Sequence, residues 1–443
     1  MLTGGPSYWF HALGGLPKPR PALPGSTDVD VAIVGGGFTG LWTAYYLKRA
    51  DPSLRICVLE SEVCGFGASG RNGGWVCGAV AGFGDARSQA AIDDTVDEIG
   101  RVTSAEQIAC DYHKGGAVHV VTGPAQLPLL RSRPGWLEPA ELDQRIRVAN
   151  ALGGVFEPNY ARVQPAALAR GLADVVERLG VGVYEATRVE SVEPGLARTA
   201  QGDVRAGWVV RATEGYTPHL GGAPRRSLVP LRSTMIVTEP LPDAAWEEIG
   251  WRDAELVHDA AHSYVYIQRT ADGRIAIGGR GRPYYFGSGH DTYGEVETWA
   301  LDRLEAKLHE LWPATREVAI AHGWSGVFAA QRDWKQTVAA DRATQMAWAG
   351  GYVGVGVCAA NLSARVLADL IRGEASDLVT LPFVNREQPR DWEPEPFRYL
   401  GANLVYTLFR AADEQERRTG KPSPLGDLAT KISGWGHRAP AGE

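Results

Sequence analysis

The first ordered pattern along the chain is an apolar run at residues 29–34, broken only by Asp30, followed by Leu41, Ala44, Tyr45 and Leu47 at helical spacing within Phe38–Ala50. The run predicts a strand covered on both faces of a parallel sheet, and the spaced set predicts a helix with one apolar face. A second buried strand is predicted at 55–59. From 85 to 113 the chain is polar with Ile92, Val96, Ile99 and Ile108 at helical intervals, which predicts one long helix or two in line. Strand, helix and strand follow at 115–121, 139–146 and 154–156, so simple alternation gives way to a mixed order and a second domain inserted into the first. A helix at 165–179 carries proline at its start, where the missing N–H costs nothing. Residues 183–192 and 204–212 read as a hairpin returning to the first domain. The block 228–327 is strand-rich, with runs at 232–238, 263–268 and 274–279 and the turn Ala271-Asp272-Gly273, and predicts an antiparallel sheet. A short strand at 347–350 and a helix at 359–372 close the main body. Beyond a Pro- and charge-rich linker at 386–396, an amphipathic helix is predicted over 397–418, with Leu400, Leu404, Leu408, Phe409 and Ala412 on its stripe. Its polar face mixes acids and bases, which favours docking on the protein itself over a dimer contact or anionic lipid. The first 27 residues hold Pro17, Pro19, Pro21 and Pro24 without a period and read as an extended surface arm.

Composition narrows the functional classes. The 443 residues allow two or three domains. Lys and Arg total 45 against 52 Asp and Glu, a net charge of -7, so no basic field exists for nucleic acid. There is no long apolar run for a membrane span and no signal-peptide pattern at the N-terminus, so a cytoplasmic protein is expected. The five cysteines, Cys57, Cys64, Cys77, Cys110 and Cys358, contain no C-x-x-C pair and read as buried thiols rather than a zinc or disulfide framework.

The predicted strand at 29–34 runs into Gly35-Gly36-Gly37-Phe38-Thr39-Gly40, a G-x-G-x-x-G turn that opens a helix. Gly35 permits the tight turn, Gly37 lets backbone approach a pyrophosphate, and Gly40 lets helix lie close on strand. The free N–H groups of the helix start favour phosphate. Glu60 ends the second strand, where a carboxylate accepts both ribose hydroxyls of an adenosine and disfavours a 2′-phosphate. Strand, turn, helix, strand and acid in register point to an adenine dinucleotide. Three later segments bear on whether it is FAD or NAD: the glycine loop Gly67-Ala68-Ser69-Gly70-Arg71-Asn72-Gly73-Gly74, the strand end at Ala212 and Thr213 followed by Glu214-Gly215-Tyr216, and the turn Gly350-Gly351-Tyr352-Val353-Gly354-Val355-Gly356. The last also matches G-x-G-x-x-A, so a second, NADH-binding fingerprint is the competing reading, although no second strand ending in an acid follows it.

In this order and at these separations the four segments resemble the FAD-dependent D-amino-acid oxidase-like family of amine oxidoreductases, and the loop from Gly67 to Gly74 is most similar to the branch containing gamma-glutamylputrescine oxidase. The resemblance covers roughly residues 25–390. It implies an α/β (α+β overall) fold: a Rossmann-like FAD-binding domain with an inserted antiparallel-sheet substrate domain. The expected division is 1–85, 163–220 and 337–390 for FAD, 86–162 and 221–336 for substrate, and 391–443 for the C-terminal linker and helix. Gly35, Gly37 and Gly40, with Phe38 and Thr39, would hold the pyrophosphate, Glu60 and Ser61 the ribose, and Val189 the adenine edge. The loop residues Gly67, Ala68, Ser69, Arg71, Asn72, Gly73 and Gly74 would lie along the ribityl chain and one flavin face, near Ala212 and Thr213. Tyr352, Gly354, Val355 and Gly356 would bring a helix start to the pyrimidine end, where its partial positive charge stabilises a reduced flavin.

On such a flavin, Tyr264 and Tyr266 point to the same side of one strand and, with Tyr284, Tyr285 and Phe286, could cage an amine by apolar and cation–π contact, although each equally suits core packing. Amine oxidation depends on positioning more than on acid–base groups, so no obligatory base is expected; His322 is the candidate for tuning the amine's protonation, against a structural role. Among Arg232, Arg269, Arg280 and Arg282, Arg280 is the first candidate to fork onto a substrate carboxylate. No His or Cys lies in 69–74, so noncovalent FAD is expected. Ala276 stands where some family oxidases set an oxygen-activating lysine, and Lys335 is the substitute candidate. The expected partners are a small-molecule amine and either oxygen or an electron carrier, with a monomer or homodimer as the assembly; a flavin dehydrogenase or desaturase is the alternative.

Overall fold

A computed structural model of the protein describes residues 1–289 and 293–435. Two sheets organise it. In the first, Thr27–Val34 is central: Ile56–Leu59 runs parallel on one side, and Gly202–Arg211 runs parallel on the other with Met346–Gly350 beyond it. Gly182–Tyr184 continues the sheet in parallel, while Leu196–Thr199, Val189–Glu193 and Thr337–Asp341 add antiparallel edges. Alternate residues of the central strands point to opposite faces. Val31, Ile33 and Val58 pack under the helices Phe38–Ala50, Pro165–Arg178 and Gly356–Arg372, and Ala32, Val34 and Cys57 pack into a second core on the other face. That double cover is why these strands read as unbroken apolar runs.

The second sheet is ordered Leu2–Thr3, Ile320–Ala330, Val229–Thr238, Ile275–Gly279, Tyr266–Arg269, Leu256–Asp259, Ala117–Val121, Gly153–Glu157 and Trp136–Leu137. It is mixed rather than purely antiparallel, because Leu256–Asp259 meets Ala117–Val121, and Leu2–Thr3 meets Ile320–Ala330, in parallel. One face packs Val118, Val257, Ile267 and Ile277 against Leu301, Leu304 and Leu308 of the helix Thr298–Leu311. Full burial of each such side chain contributes about 2 kcal/mol. At alternate positions of the same strands, Tyr266, His258 and His119 face a cavity instead. No helix among the described residues is long and apolar enough to cross a membrane.

Several expectations are corrected. The N-terminal arm is not a surface strap: Leu2–Thr3 joins the second sheet, and the helix Tyr8–Ala12, capped by Ser7, buries Trp9 and Phe10 against Met235, Val237 and Trp324. The prolines govern only the stretch after this aromatic cluster. The long helix ends at Ala105, followed by turns with positive φ at Gln107 and Asp111. Residues 139–146 form only one turn, Pro139–Leu142, and the strand expected from 263 begins at Tyr266. The returning hairpin divides into Gly182–Tyr184, Val189–Glu193 and Leu196–Thr199 before Gly202–Arg211. The C-terminal helix Phe397–Thr419 docks on the protein itself, through Asp413 accepting from the N–H groups of His262 and Ser263 and through the buried contact of His262 with Glu416 at 3.0 Å. A further helix, Pro424–Ser433, packs behind it. The end of the expected 391–443 segment lies outside the described residues.

Candidate active site

The strands Thr27–Val34, Gly202–Arg211 and Met346–Gly350 lie side by side in parallel, so their C-terminal ends, and the turns that leave them, meet at one edge. Ala212 N–H donates to Val34 O at 2.8 Å, and the hydroxyls of Thr39 and Tyr352 bond at 2.9 Å. Glu214 completes the junction: one carboxylate oxygen accepts from the N–H groups of Gly351 and Tyr352 at 3.1 and 3.3 Å, and burial pushes its pKa up to about 7. The first glycine turn and the late one thus line a single cavity of about 1710 Å³.

The cradle is made of close approaches that only glycine allows at two positions. Gly35 has φ +110°, and a Cβ there would stand 2.6 Å from Ala212 O; a Cβ on Gly40 would stand 2.0 Å from Gly35 O. Gly40 therefore sits behind the cradle, setting helix on strand, and does not line the cavity. Glu60 accepts from Gly36 N–H at 2.7 Å and Glu62 N–H at 3.0 Å, while burial pushes its pKa up. Phe38 N–H donates to Ser69 Oγ at 2.8 Å, which ties the helix start to the second glycine loop. That loop is held from behind by the N-terminal segment, with Ser7 Oγ donating to Gly70 O at 2.7 Å and Trp9 Nε1 to Asn72 O at 2.7 Å. Arg71 is buried, with Nε on Phe66 O and its guanidinium 4.6 Å from the Phe66 ring.

Of the residues singled out for the cofactor, Gly35, Gly37, Phe38, Thr39, Glu60, Ser61, Gly67, Ala68, Ser69, Arg71, Asn72, Gly73, Val189, Ala212, Thr213, Tyr352, Gly354, Val355 and Gly356 all face this cavity. Gly74 does not; its N–H donates to Asn72 Oδ1 at 2.8 Å and so closes the loop on itself. The turn at 354–356 opens onto the same space as the first fingerprint. The fit to a dinucleotide is direct: a side-chain-free turn, a helix N-terminus and a carboxylate face a cavity large enough for it.

The reacting side departs from expectation in three ways. His322 does not reach the cavity: Leu2 pairs opposite it, its Nε2 bonds Gly4 O, and its ring lies against His11 and Trp324. Tyr284, Tyr285 and Phe286 also miss it; Tyr284 bonds Glu395, Tyr285 bonds Glu297, and Phe286 is exposed. Tyr264 and Tyr266 do line the cavity, but the aromatic cage holds a protein cation. The Arg280 guanidinium lies 5.5, 5.1, 5.6 and 5.1 Å from the rings of Tyr264, Phe328, Tyr406 and Trp435. It donates to Tyr264 Oη at 3.4 Å, and no carboxylate among the described residues pairs with it. The other arginines are taken: Arg232 by Glu295 O and Ser325 Oγ, Arg269 by Trp251 O, and Arg282 by Glu297.

Tyr266 bonds Ser233 Oγ at 2.7 Å and lays its ring over Gly73, where a Cβ would meet it at 2.7 Å. Burial pushes its pKa up to about 12, so it stays a neutral phenol. Sequence reasoning missed Trp75, His119, Arg133, Glu157, His258 and Trp435, all in the wall. His119 within Ala117–Val121 carries a signal: it is the one polar position of an otherwise apolar strand. Lys335 is in the wall, its Nζ 5.5 Å from the Phe83 ring, whereas Ala276 is buried under the N-terminal cluster of Trp9, Phe10, Met235 and Trp324.

Comparison with known proteins agrees with this geometry. The family model described as FAD dependent oxidoreductase (DAO) matches residues 30–370. Gamma-glutamylputrescine oxidoreductase of Escherichia coli (strain K12) is 28% identical over 443 aligned positions, spanning 92% of this chain and 99% of that protein. Among solved structures, glycine oxidase from Geobacillus kaustophilus superimposes with a TM-score of 0.70 at 20% identity, covering 83% of this chain and 100% of that one. L-amino acid deaminase from Proteus myxofaciens gives 0.67 at 15% identity, covering 84% and 95%. These two likenesses concern the fold.

Proposed function

From the premise that the chain belongs to the FAD-dependent oxidoreductase (DAO) family, we propose that it oxidises a primary or secondary amine that carries a carboxylate, giving an imine that water hydrolyses. Bound FAD supplies the hydride acceptor for a C–H bond next to nitrogen. The residues of the cradle hold it by main-chain groups and by Glu60. The observation that carries the substrate reading is Arg280: a half-buried guanidinium among four rings, without a carboxylate of its own among the described residues, facing the cavity that the cradle also lines. Its planar fork suits a substrate carboxylate, and Tyr264 steadies it. Tyr266 fills the wall between Arg280 and the glycine loop and excludes water there.

FAD is held noncovalently in this reading, supported by the absence of His and Cys from residues 69–74 and by burial, which raises the Cys77 pKa to about 12 and moves the Cys358 pKa well up. Oxygen is the proposed acceptor, with hydrogen peroxide as product; electron transfer to oxygen builds negative charge, which the Lys335 ammonium in the wall stabilises. The division of the chain at 1–85, 163–220 and 337–390 against 86–162 and 221–336 is proposed as well, supported by the sheet each strand joins except at Leu2–Thr3, which enters the second sheet, and Trp75–Cys77, which pairs with Tyr160–Arg162 across the boundary.

The test is an anaerobic screen of amines and amino acids for bleaching of the flavin band, followed by aerobic peroxide assay of the hits. Arg280→Met is expected to keep FAD but to lose about 2–4 kcal/mol of transition-state binding for carboxylate-bearing amines, roughly 30- to 1000-fold in kcat/KM. Equal losses on amines with and without a carboxylate would contradict the role given to Arg280.

A further inference from the structure

The helix Ala86–Ala105 carries four acids, Asp93, Asp94, Asp97 and Glu98. Three of them are ion-paired: Asp94 with Arg101 and Arg365, Asp97 with Lys114, and Glu98 with Arg101. Asp93 differs. It is half-buried and faces the cavity with Gln89, one helical turn before it, and with Asn159, and no cation among the described residues pairs with it. Its Oδ1 accepts from Gln89 Nε2 at 3.0 Å and from Asn159 Nδ2 at 2.8 Å. Gly78 lies close against the group, where a Cβ would stand 2.6 Å from Asp93 Oδ1. Because Asp94 accepts from Arg365 at 3.0 Å, Asp93 sits beside the helix Gly356–Arg372, whose first turn lines the same cavity.

The orientation of both amides follows from their partners. Gln89 Nε2 also donates to Gly78 O at 2.9 Å and Asn159 Nδ2 to Asp93 O at 3.3 Å, so each NH2 group meets only acceptors. The side-chain oxygens of Gln89 and Asn159 and Asp93 Oδ2 are left without a donor among the described residues, and none of the three is closed off from solvent. Two cations of the wall are engaged elsewhere, Arg133 with Glu157 at 3.1 Å and Lys335 over the Phe83 ring. Three open acceptors and one negative charge select a cation that carries N–H donors. An anion finds no donor there. A carboxylate beside an amine also favours its protonated form, which has no lone pair to drive hydride loss. The cation that suits Asp93 is therefore not the nitrogen undergoing oxidation.

We propose that Asp93, Gln89 and Asn159 form a cation subsite of the cavity that holds a second, unreacting ammonium group of the substrate. Gln89 and Asn159 are positioning residues for the carboxylate and add acceptors of their own. The substrate class is then an amine with a further cationic end, a diamine or a diamino acid, rather than a monoamine. This rests on the reading of the substrate as an amine.

The test uses the FAD-loaded enzyme and two ligands of the same shape, hexylguanidine, which is cationic, and hexylurea, which is neutral; neither carries an amine to oxidise. By calorimetry the wild type is expected to bind hexylguanidine about 10- to 100-fold more tightly, the effect of charge-assisted hydrogen bonds. Asp93→Asn keeps an acceptor oxygen for Gln89 and Asn159 but removes the charge, and is expected to bring the two affinities together. Asp93→Glu is expected to restore part of the difference. In turnover, 1,6-diaminohexane is expected to exceed heptylamine, which has a methyl group in place of the second ammonium, by about 10-fold or more in kcat/KM, and Asp93→Asn to remove that preference. Equal binding of the guanidine and the urea by the wild type overturns the subsite, as does turnover without a preference for the diamine or a charge preference that survives in Asp93→Asn at unchanged FAD content. If no amine bleaches the flavin anaerobically, the amine reading fails, and the guanidine and urea titrations still decide the subsite by themselves.

Discussion

Gly35, Gly37 and the first turn of the Phe38–Ala50 helix face one part of the cavity with main-chain groups, whereas Arg280, Tyr264, Phe328 and Trp435 face another with side chains drawn from distant segments. The cradle can be local because a phosphate needs only N–H groups in a turn and a helix start, and both arise within one strand-turn-helix unit. The Arg280 cage cannot be, since each ring is delivered by a different element, Tyr406 and Trp435 by the C-terminal segment. Residues 397–435 lie beyond the family match at 30–370. Under the proposed function, cofactor binding is built into the part that the family model matches, and the setting of the substrate group partly into the C-terminal segment outside that match.

The largest expected effect separates the scaffold of the cradle from its contents. Gly40→Val drives a side chain into Gly35 O and Ile33, both backed by the core. Its soluble yield should collapse, or its unfolding free energy in urea fall by more than about 3 kcal/mol. A stable Gly40→Val would show that helix and strand are not held by this approach.

On the side-chain part, Trp435→Ala removes one ring from Arg280 and the stack on Trp334 at 5.0 Å. Loss of about 0.5–2 kcal/mol of ring–cation contact corresponds to a 2- to 30-fold rise in KM for carboxylate-bearing amines, at unchanged FAD content. If flavin content falls instead, the C-terminal segment serves the cradle and the contrast between the two parts fails.

A pH-dependent effect concerns the joint at Glu214. Its carboxyl titrates near 4.5 when free, and burial raises that to about 7 in the fold. A carboxyl raised in the native state adds stability that is full below about pH 4.5 and is lost as pH rises through 7. The stability of the wild type minus that of Glu214→Gln, from urea unfolding at stepped pH, should therefore fall between pH 4.5 and 7 and flatten above. A difference that stays level across this window would mean the carboxyl is solvated.

The same contrast explains which parts are legible in the sequence. The apolar runs at 29–34 and 55–59 and the glycines between them can be read because strand, turn and helix there follow from neighbours along the chain. The late turn at 354–356 is read from its own glycines and Val189 is reached through the family resemblance, and both face the cavity. His322 misleads because its strand position says which side it faces but not that Leu2 and Gly4 cover it. The stacking of His119 on His258 depends on a parallel pairing between strands far apart in sequence, and neither strand carries a signal for the other. The N-terminal helix escapes notice because prolines at 17–24 dominate the pattern, while Trp9 and Phe10 find their partners only in the assembled core.

The most direct test of the central claim is flavin content after desalting, read from the absorbance band near ~450 nm typical of flavins. A Cβ on Gly37 meets only the Ser69 side chain, with the hydroxyl at 2.9 Å and no backbone atom in the way, so Gly37→Val displaces that hydroxyl from Phe38 N–H and blocks the approach of a phosphate without a clash against backbone. Wild type and Arg280→Met should elute yellow, and Gly37→Val, folded by circular dichroism, should elute colourless. A folded Gly37→Val that keeps a full complement of FAD would contradict the placement of the cofactor in this cradle.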